Sequence, residues 1–227
     1  LAQAKRASEY TGGLTLELVN NDGSAIRSTT KVEQALSQKG KVVAQGTYDY
    51  GLQTQAHARV PSDGLYVAYR LTDVELLGKN ADALVLSAAA GEKGAAVNLG
   101  AKLTGQGDLA INTASDYVSL SNNRNDYMGS TFVRHGTLRA QADHVFGNTQ
   151  QLDLAEGTSV ELTSSAGNAT AQTVGKVTSA INSLIALGRG KLTVKAGGTI
   201  KGALSGTQDS ELYFQGNEVN ITGVNPH

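Results

Sequence analysis

Hydrophobic and polar residues alternate with a period of two at many places along the chain. The alternation is clear in Leu14–Leu18, Leu152–Leu154 and Leu192–Val194. Successive side chains of a β-strand point to opposite faces, so this period predicts strands with one buried face. These runs are short and are followed by Gly or Asn turns, which indicates many short strands.

A helical period is sustained at two short places. The stretch Ala140–Phe146 predicts a helical excursion of one or two turns that is closed by Gly147. The stretch Val177–Leu187 fits either a helix or a pair of strands. The pattern therefore predicts an all-β protein with short helical excursions.

Internal repeats indicate how the strands are arranged. The segment Leu152–Val160 recurs as Leu192–Ile200, an offset of 40 residues, which corresponds to two coils of about 20 residues in a β-solenoid. Residues 107–122 have a longer echo in residues 210–223, with spacings that differ by two residues. We therefore expect a right-handed parallel β-helix with roughly nine to eleven coils of about 20–25 residues. A β-sandwich is the alternative, because short strands with Gly turns also fit that fold, but the repeat favours the β-helix.

The composition supports strands and turns and excludes several classes of protein. The chain has 27 Gly, 2 Pro and no Cys, and its net charge is −1. It therefore lacks a disulfide framework, a thiolate metal site and the basic field that nucleic-acid binding requires. No apolar run approaches the length of a transmembrane helix, and Leu1–Tyr10 lacks the apolar core of a signal peptide, so we expect a mature segment or a fragment.

Five glycines and four tyrosines stand at regular places. Each of the glycines is predicted to end a short strand in a turn with positive φ; they are Gly129, Gly136, Gly147, Gly157 and Gly197. The tyrosines are predicted to cover a sheet face or one end of the rod, with an aromatic sugar-binding platform as the alternative; they are Tyr48, Tyr50, Tyr66 and Tyr69.

Side chains that could carry chemistry are scattered. The four histidines, which share no metal-ligand spacing, are His57, His135, His144 and His227. Asp73 and Glu75 lie two apart on a strand and are interpreted as solvated. Residues 20–23 and 122–126 are interpreted as turns with stacked Asn amides, with calcium binding as the alternative. The sequence thus predicts no catalytic, cofactor-binding or metal-binding residue, and a protein that is not an enzyme.

Two segments resemble a known family. Tyr117–Leu138 followed by Ala142–Gly147 is similar to the pattern L-x-L-S-G-x-N-x-Y-x-G-x-T-x-V-x-x-G-T-L and the A-x-x-A-L-G element of Gram-negative autotransporter passengers. Asn122 stands where the pattern has Gly. The elements that follow, up to Gly206, keep the family's order. Residues 105–227 thereby resemble the autochaperone region of the family that includes diffuse-adherence adhesins.

The second segment lies earlier in the chain. Gln38–Leu52 and Gly64–Leu71 resemble the pattern G-x-V-x-A-G-x-Y-x-Y-x-L … W-Y-L that is found late in many passengers, although the Trp is absent here. The resemblance implies a passenger segment with upstream β-helix coils in 1–104 and an autochaperone-like module in 105–227.

The resemblance also implies a function and a location. It implies a β-helical stalk and folding nucleus in type V secretion, within an adhesin at the cell surface or outer membrane, or released from it. The implied partners are the protein's own C-terminal outer-membrane β-barrel and host or sister cells, with no nucleic acid and no cofactor. A carbohydrate- or host-protein-binding adhesin surface in this segment is the alternative function, and a polysaccharide-degrading β-helix enzyme is a further one.

Overall fold

The computed structural model describes residues 18–19, 25–26, 31–53, 66–87 and 97–223. Within them the strands are β1 (Leu18–Val19), β2 (Ala25–Ile26), β3 (Lys31–Gln38), β4 (Lys41–Gln53), β5 (Tyr66–Leu76), β6 (Leu84–Leu86), β7 (Val97–Leu99), β8 (Lys102–Gly105), β9 (Leu109–Leu120), β10 (Thr131–Ala140), β11 (Gln151–Leu154), β12 (Ser159–Glu161), β13 (Ala171–Val174), β14 (Lys176–Ser179), β15 (Leu184–Gly188), β16 (Lys191–Val194), β17 (Gly198–Ile200), β18 (Ala203–Gly206), β19 (Glu211–Phe214) and β20 (Val219–Ile221). One 3-10 turn, Asn80–Asp82, is the single helical element of the described part.

The chain divides into two compact units. One comprises residues 1–34 with 46–72, and the other comprises residues 35–45 with 73–227. The second unit holds the parallel coils described below.

In the first unit, side chains of β4 and β5 meet. The ring centroids of Tyr48 and Tyr69 are 6.1 Å apart, and Arg70 Nη2 lies 3.6 Å from Asp49 Oδ2. Tyr48 and Tyr69 therefore lie close together, and the predicted covering of a sheet face or a rod end by the four tyrosines stays a prediction. The side chains of the other two predicted tyrosines lie outside the described residues, as does most of the first unit.

In the second unit, the strands form columns of parallel neighbours. Face 1 contains β6, the first halves of β9 and β10, β11, β14, β17 and β20. Face 2 contains β7, the second halves of β9 and β10, β12, β15 and β18. Face 3 contains β13, β16 and β19. In addition, β5 and β8 form a parallel pair. Parallel pairing of strands that are one coil apart defines a β-helix.

The register gives the length of each coil. The residues that lie directly above one another on face 1 are Leu84, Leu109, Thr131, Leu152, Val177, Gly198 and Val219. Their spacing lies within the predicted coil length of about 20–25 residues. The described strands from β6 to β20 thus belong to six coils, whereas roughly nine to eleven were expected for the whole chain. The predicted all-β parallel β-helix is confirmed. The predicted boundary between residues 1–104 and 105–227 falls inside β8, before its last residue, Gly105. The different roles expected for the two parts stay a prediction.

The register of the predicted repeat is wrong. Leu152 lies on face 1 in β11, whereas Leu192 lies on face 3 in β16, and the residue directly above Leu152 is Val177. The second echo has the same error, because Leu109 is on face 1 and Leu212 is on face 3. Every face carries the same pattern of a short strand with apolar residues at alternate positions. Two segments of similar sequence can therefore lie on different faces, and do not have to be stacked in successive coils.

The predicted core is confirmed. The six residues expected to point inward are at most 1% exposed, and they are Leu152, Leu154, Val160, Leu192, Val194 and Ile200. The alternation places every second side chain of a strand inside the coil, where it stacks on equivalent side chains of its neighbours. On face 3, Val194 lies between Val174 and Phe214.

Glycine serves two purposes between coils. The predicted positive φ is present at four of the five positions, including Gly136 with a φ of 79°. Gly136 does not end a strand, since it lies inside β10 where the register with β9 shifts and the strand passes from face 1 to face 2. Gly129 lacks a positive φ, and a Cβ there would collide with the carbonyl oxygen of Gly107 in the preceding coil. The close approach of two coils, and not the φ angle, therefore requires glycine at this position.

The two predicted helical stretches have different outcomes. Residues 141–148 form consecutive bends and turns, and Gly147 N–H donates to the carbonyl of His144 at 3.1 Å, so this stretch closes at Gly147 as expected without becoming an α-helix. Val177–Leu187 belongs to β14 and β15, which are joined by a turn containing Asn182 with a φ of 58°. The alternative of two strands is therefore correct there.

Val194 provides the first test of the coil packing. Val194→Asp places a carboxylate between two apolar side chains, so we expect the free energy of unfolding to fall by about 3–5 kcal/mol. Thr193→Asp is the matched control, because Thr193 points outward on the same strand and should change stability by less than about 1 kcal/mol. Denaturant unfolding of both variants measures the difference. Equal unfolding midpoints would place Val194 outside the core.

Candidate functional site

A chain of hydroxyl groups runs through the core between coils. Tyr127 is completely buried, and its hydroxyl lies 2.7 Å from Thr131 Oγ1. Thr131 Oγ1 lies 2.9 Å from Thr149 Oγ1, which donates to the carbonyl oxygen of Gly129 at 2.7 Å. Tyr127 can then donate to Thr131, which donates to Thr149, which donates to the Gly129 carbonyl. Burial raises the pKa of Tyr127, against a smaller lowering by the two threonine hydroxyls.

Two buried amides join the coils in the same way. Asn125 Oδ1 accepts from Leu103 N–H at 2.8 Å in the coil before, and its Nδ2 donates to the Val145 carbonyl at 2.7 Å in the coil after. Gln172 Nε2 donates to the Ala142 carbonyl at 2.7 Å. Asn125 therefore bonds to backbone groups of the neighbouring coils, and the interpretation of residues 122–126 as a turn with stacked Asn amides stays a prediction. These hydroxyls and amides together are termed the polar ladder.

Residues 35–45 close the first edge of the coil stack. Gln38 Nε2 donates to the Val85 carbonyl, and Gln38 Oε1 accepts from Val85 N–H, both at 2.8 Å. The carboxamide thereby takes the place of a neighbouring strand beside β6. The carbonyl of Val43 accepts from Leu77 N–H and Gly78 N–H, both at 3.0 Å. Open strand edges favour pairing with other chains, so these contacts protect that end of the stack.

A cleft of about 300 Å³ lies on the outer side of face 1, beside this closed edge. Its polar lining residues are Gln38, Lys39, Asp82, Ser87, Asn112 and Arg134. The Asp82 carboxylate is paired with Lys41 Nζ at 2.9 and 3.0 Å. Arg134 Nη2 donates to the Asn80 carbonyl at 2.7 Å, and its guanidinium carbon lies 5.5 Å from the centroid of the Phe132 ring.

A second cleft of about 300 Å³ lies on face 2. Its one charged lining residue is Glu161, which is ion-paired with Arg139 of the preceding coil. The remaining lining residues are small, such as Thr163 and Ser205. This cleft therefore offers less charge to a ligand than the cleft on face 1.

Ion pairs also join neighbouring coils on the outer surface. They are Lys102–Asp126, Arg139–Glu161, Arg189–Asp209 and Lys191–Glu211. These pairs were not predicted from the sequence, although opposite charges separated by close to one coil length were a usable signal. Burial raises the pKa of Asp126, but hydrogen bonds from Lys102 and Thr104 outweigh it, so the net pKa lies below its usual value.

The charged residues weighed in the sequence do not form a site. Asp73 and Glu75 lie on β5 with Lys102 and Thr104 as their register partners. His135 is exposed on the surface of its coil.

His144 is also exposed, in a turn with a φ of 56°. His57, His227 and residues 20–23 lie outside the described residues. In the described ranges, His, Cys, Asp and Glu do not come together in groups of three that could hold a metal ion.

Comparison with known proteins gives two relatives from Escherichia coli (strain K12). The protein is 39% identical over 207 residues, or 91% of its length, to the uncharacterized protein YuaQ. It is 37% identical over 225 residues, or 99% of its length, to the uncharacterized lipoprotein YdeK. The chain spans only 14% and 16% of the lengths of these relatives. No family model and no solved structure matches the chain.

No helix in the described ranges has the length and apolar character needed to cross a membrane.

The polar ladder predicts a specific alkaline destabilisation. A raised pKa means that the folded protein keeps the Tyr127 proton at a pH where the unfolded chain loses it, so stability falls as the pH rises above about 10. The raised pKa of Tyr127 lowers the free energy of unfolding by up to about 1.4 kcal/mol for each pH unit in this range. Tyr127→Phe should lose about 1 kcal/mol at neutral pH and show a shallower decline above a pH of about 10.

Urea unfolding at several alkaline pH values measures the slope, and Tyr213→Phe at an exposed position controls for the loss of a phenol. If Tyr127→Phe lost stability with pH as steeply as the parent, the Tyr127 phenol would have to be accessible to water.

Proposed function

We propose that the chain is a segment of an autotransporter passenger, in which it forms part of a β-helical stalk and residues 105–227 act as the folding nucleus. The observation that carries the proposal is the coil-to-coil pairing of strands. A single coil cannot bury its apolar side chains alone, and each new coil needs the edge of an existing coil. A chain of this kind therefore needs one segment in which the first coils form readily.

The polar ladder supports the choice of residues 105–227 as that segment. All of its members lie there, and Asn125, Thr149 and Gln172 bond to neighbouring coils. Buried polar groups are costly unless they are paired, so the ladder favours one arrangement of these coils over slipped alternatives. A nucleus must have this property, because errors in the first coils would be copied by later ones.

The relatives support a location in the cell envelope. YdeK is named as a lipoprotein, and both relatives are several times longer than this chain. A repeated coil stack within a long protein is typical of a stalk. We propose that the protein reaches the cell surface or outer membrane by type V secretion, with a C-terminal outer-membrane β-barrel as its translocation partner. The proposal gives the coils a structural role and assigns them no catalysis.

Export of the gene product that carries this sequence provides the test. Asn125→Leu removes both inter-coil hydrogen bonds of the amide, and Asn217→Leu changes an exposed Asn in the same module as the matched control. Surface labelling of intact cells reports translocation, and proteinase treatment reports folding of the coils upstream of residue 105. Both variants should reach the surface, but only Asn125→Leu should leave the upstream coils sensitive to protease.

Two outcomes would contradict the proposal. If residues 105–227 unfolded in Asn125→Leu while the upstream coils stayed resistant, nucleation would belong upstream. If the unaltered protein were never labelled on intact cells, the passenger assignment itself would be wrong.

A further inference from the structure

We infer that the cleft on face 1 binds an acidic saccharide, with the carboxylate held by Arg134 and Lys39. Three successive coils contribute to this cleft, together with residues 35–45, which are termed the closing segment. Ser87, Asn112 and Arg134 come from the first, second and third coils, and Lys39 comes from the turn between β3 and β4. The inference goes beyond a stalk role and does not depend on the proposed secretion.

The charge of the cleft favours an anion. Asp82 is its acidic lining residue, and both carboxylate oxygens are already occupied by Lys41 Nζ. Lys39 has no ion-pair partner within the described residues. Arg134 gives one N–H to the Asn80 carbonyl, and a guanidinium has five N–H donors, so others remain for a ligand. The cleft therefore carries two cationic groups that its own acid does not neutralise.

The backbone around the cleft is held in an uncommon conformation. Lys39 and Asn80 both have a φ of 51°, in the left-handed region that non-glycine residues seldom occupy. Asn80 N–H donates at 2.7 Å to Asp108 Oδ2, and the other oxygen of this buried carboxylate accepts from Ser130 N–H at 2.7 Å. Such residues persist where the surroundings fix them, and they cluster at binding sites. The backbone at Asn80 is thus held in place by contacts within the protein.

The neutral side chains favour a sugar over a simple anion. Asn112 and Ser87 offer an amide and a hydroxyl, which suit the hydroxyl groups of a saccharide. The planar guanidinium of Arg134 matches the geometry of a carboxylate, and the Phe132 ring lies beside it. A volume of about 300 Å³ is at the lower end of ligand sites and suits one sugar residue. Inorganic phosphate could also accept hydrogen bonds from the amide and the hydroxyl, but it is smaller than a sugar residue and would fill less of the cleft.

Titration calorimetry of the whole 227-residue chain tests the inference with three probes. The probes are a galacturonate trimer, the neutral galactose trimer and inorganic phosphate. We expect the galacturonate trimer to bind at least about tenfold more tightly than either of the others. Its affinity should fall as salt is added, because the contact is between charges.

Two variants locate the site. Arg134→Gln removes the guanidinium, and Lys39→Asn removes the ammonium while keeping a residue type that tolerates a positive φ. Each should lower the affinity at least about fivefold with an unchanged circular dichroism spectrum. Arg189→Gln, at an exposed Arg on a later coil, is the matched control and should bind like the parent.

The inference fails on any of four results. These are a galacturonate Kd above about 10 mM, equal affinity for the neutral trimer, equal affinity for phosphate, or unchanged affinity in both cleft variants. Equal affinity for phosphate would identify an anion site without saccharide recognition. None of these results bears on translocation, so the proposed function is tested separately.

Discussion

Backbone hydrogen bonding between parallel strands of successive coils is the interaction on which the rest of this structure depends. It fixes the length of each coil and brings side chains that are one coil apart into columns. The apolar core, the polar ladder and the outer ion pairs all follow from those columns. It also creates an edge at each end of a stack, and the Gln38 carboxamide occupies the first edge on β6 as a substitute strand.

Backbone pairing alone does not select which residue lies above which. The apolar columns permit many arrangements, since Leu, Val and Ile can replace one another at similar cost. The polar ladder is more selective, because Asn125 must meet Leu103 N–H and the Val145 carbonyl at the same time. A slip by two residues would keep the core apolar but leave these buried groups unpaired, which costs about 1–3 kcal/mol for each group. The ladder therefore gives the coils their register.

The sequence was sufficient for the fold and for the core, because alternation reports directly which side chains point inward. Leu152 and Val194 were placed correctly for this reason. The sequence was insufficient for the register between coils, because the three faces share one pattern. The segment that begins at Leu192 is similar to the one that begins at Leu152 but lies on a different face. The cleft could not be predicted either, since Lys39 and Arg134 are far apart along the chain and only the closing segment brings them together. Gly129 was assigned to a turn with positive φ. A turn and a close approach between coils both require glycine, so the sequence alone could not distinguish them.

The coil register can be measured directly by disulfide formation, because the chain contains no other cysteine. In the structure Asp153 lies beside Thr178 of the next coil, and both side chains point outward. The shorter coil that the sequence repeat suggested would instead place Thr173 there. We predict that Asp153→Cys with Thr178→Cys forms a disulfide under mild oxidation, since the Cα atoms of paired residues on neighbouring strands lie within the range that a disulfide spans. Efficient cross-linking of Asp153→Cys with Thr173→Cys, and none with Thr178→Cys, would contradict it.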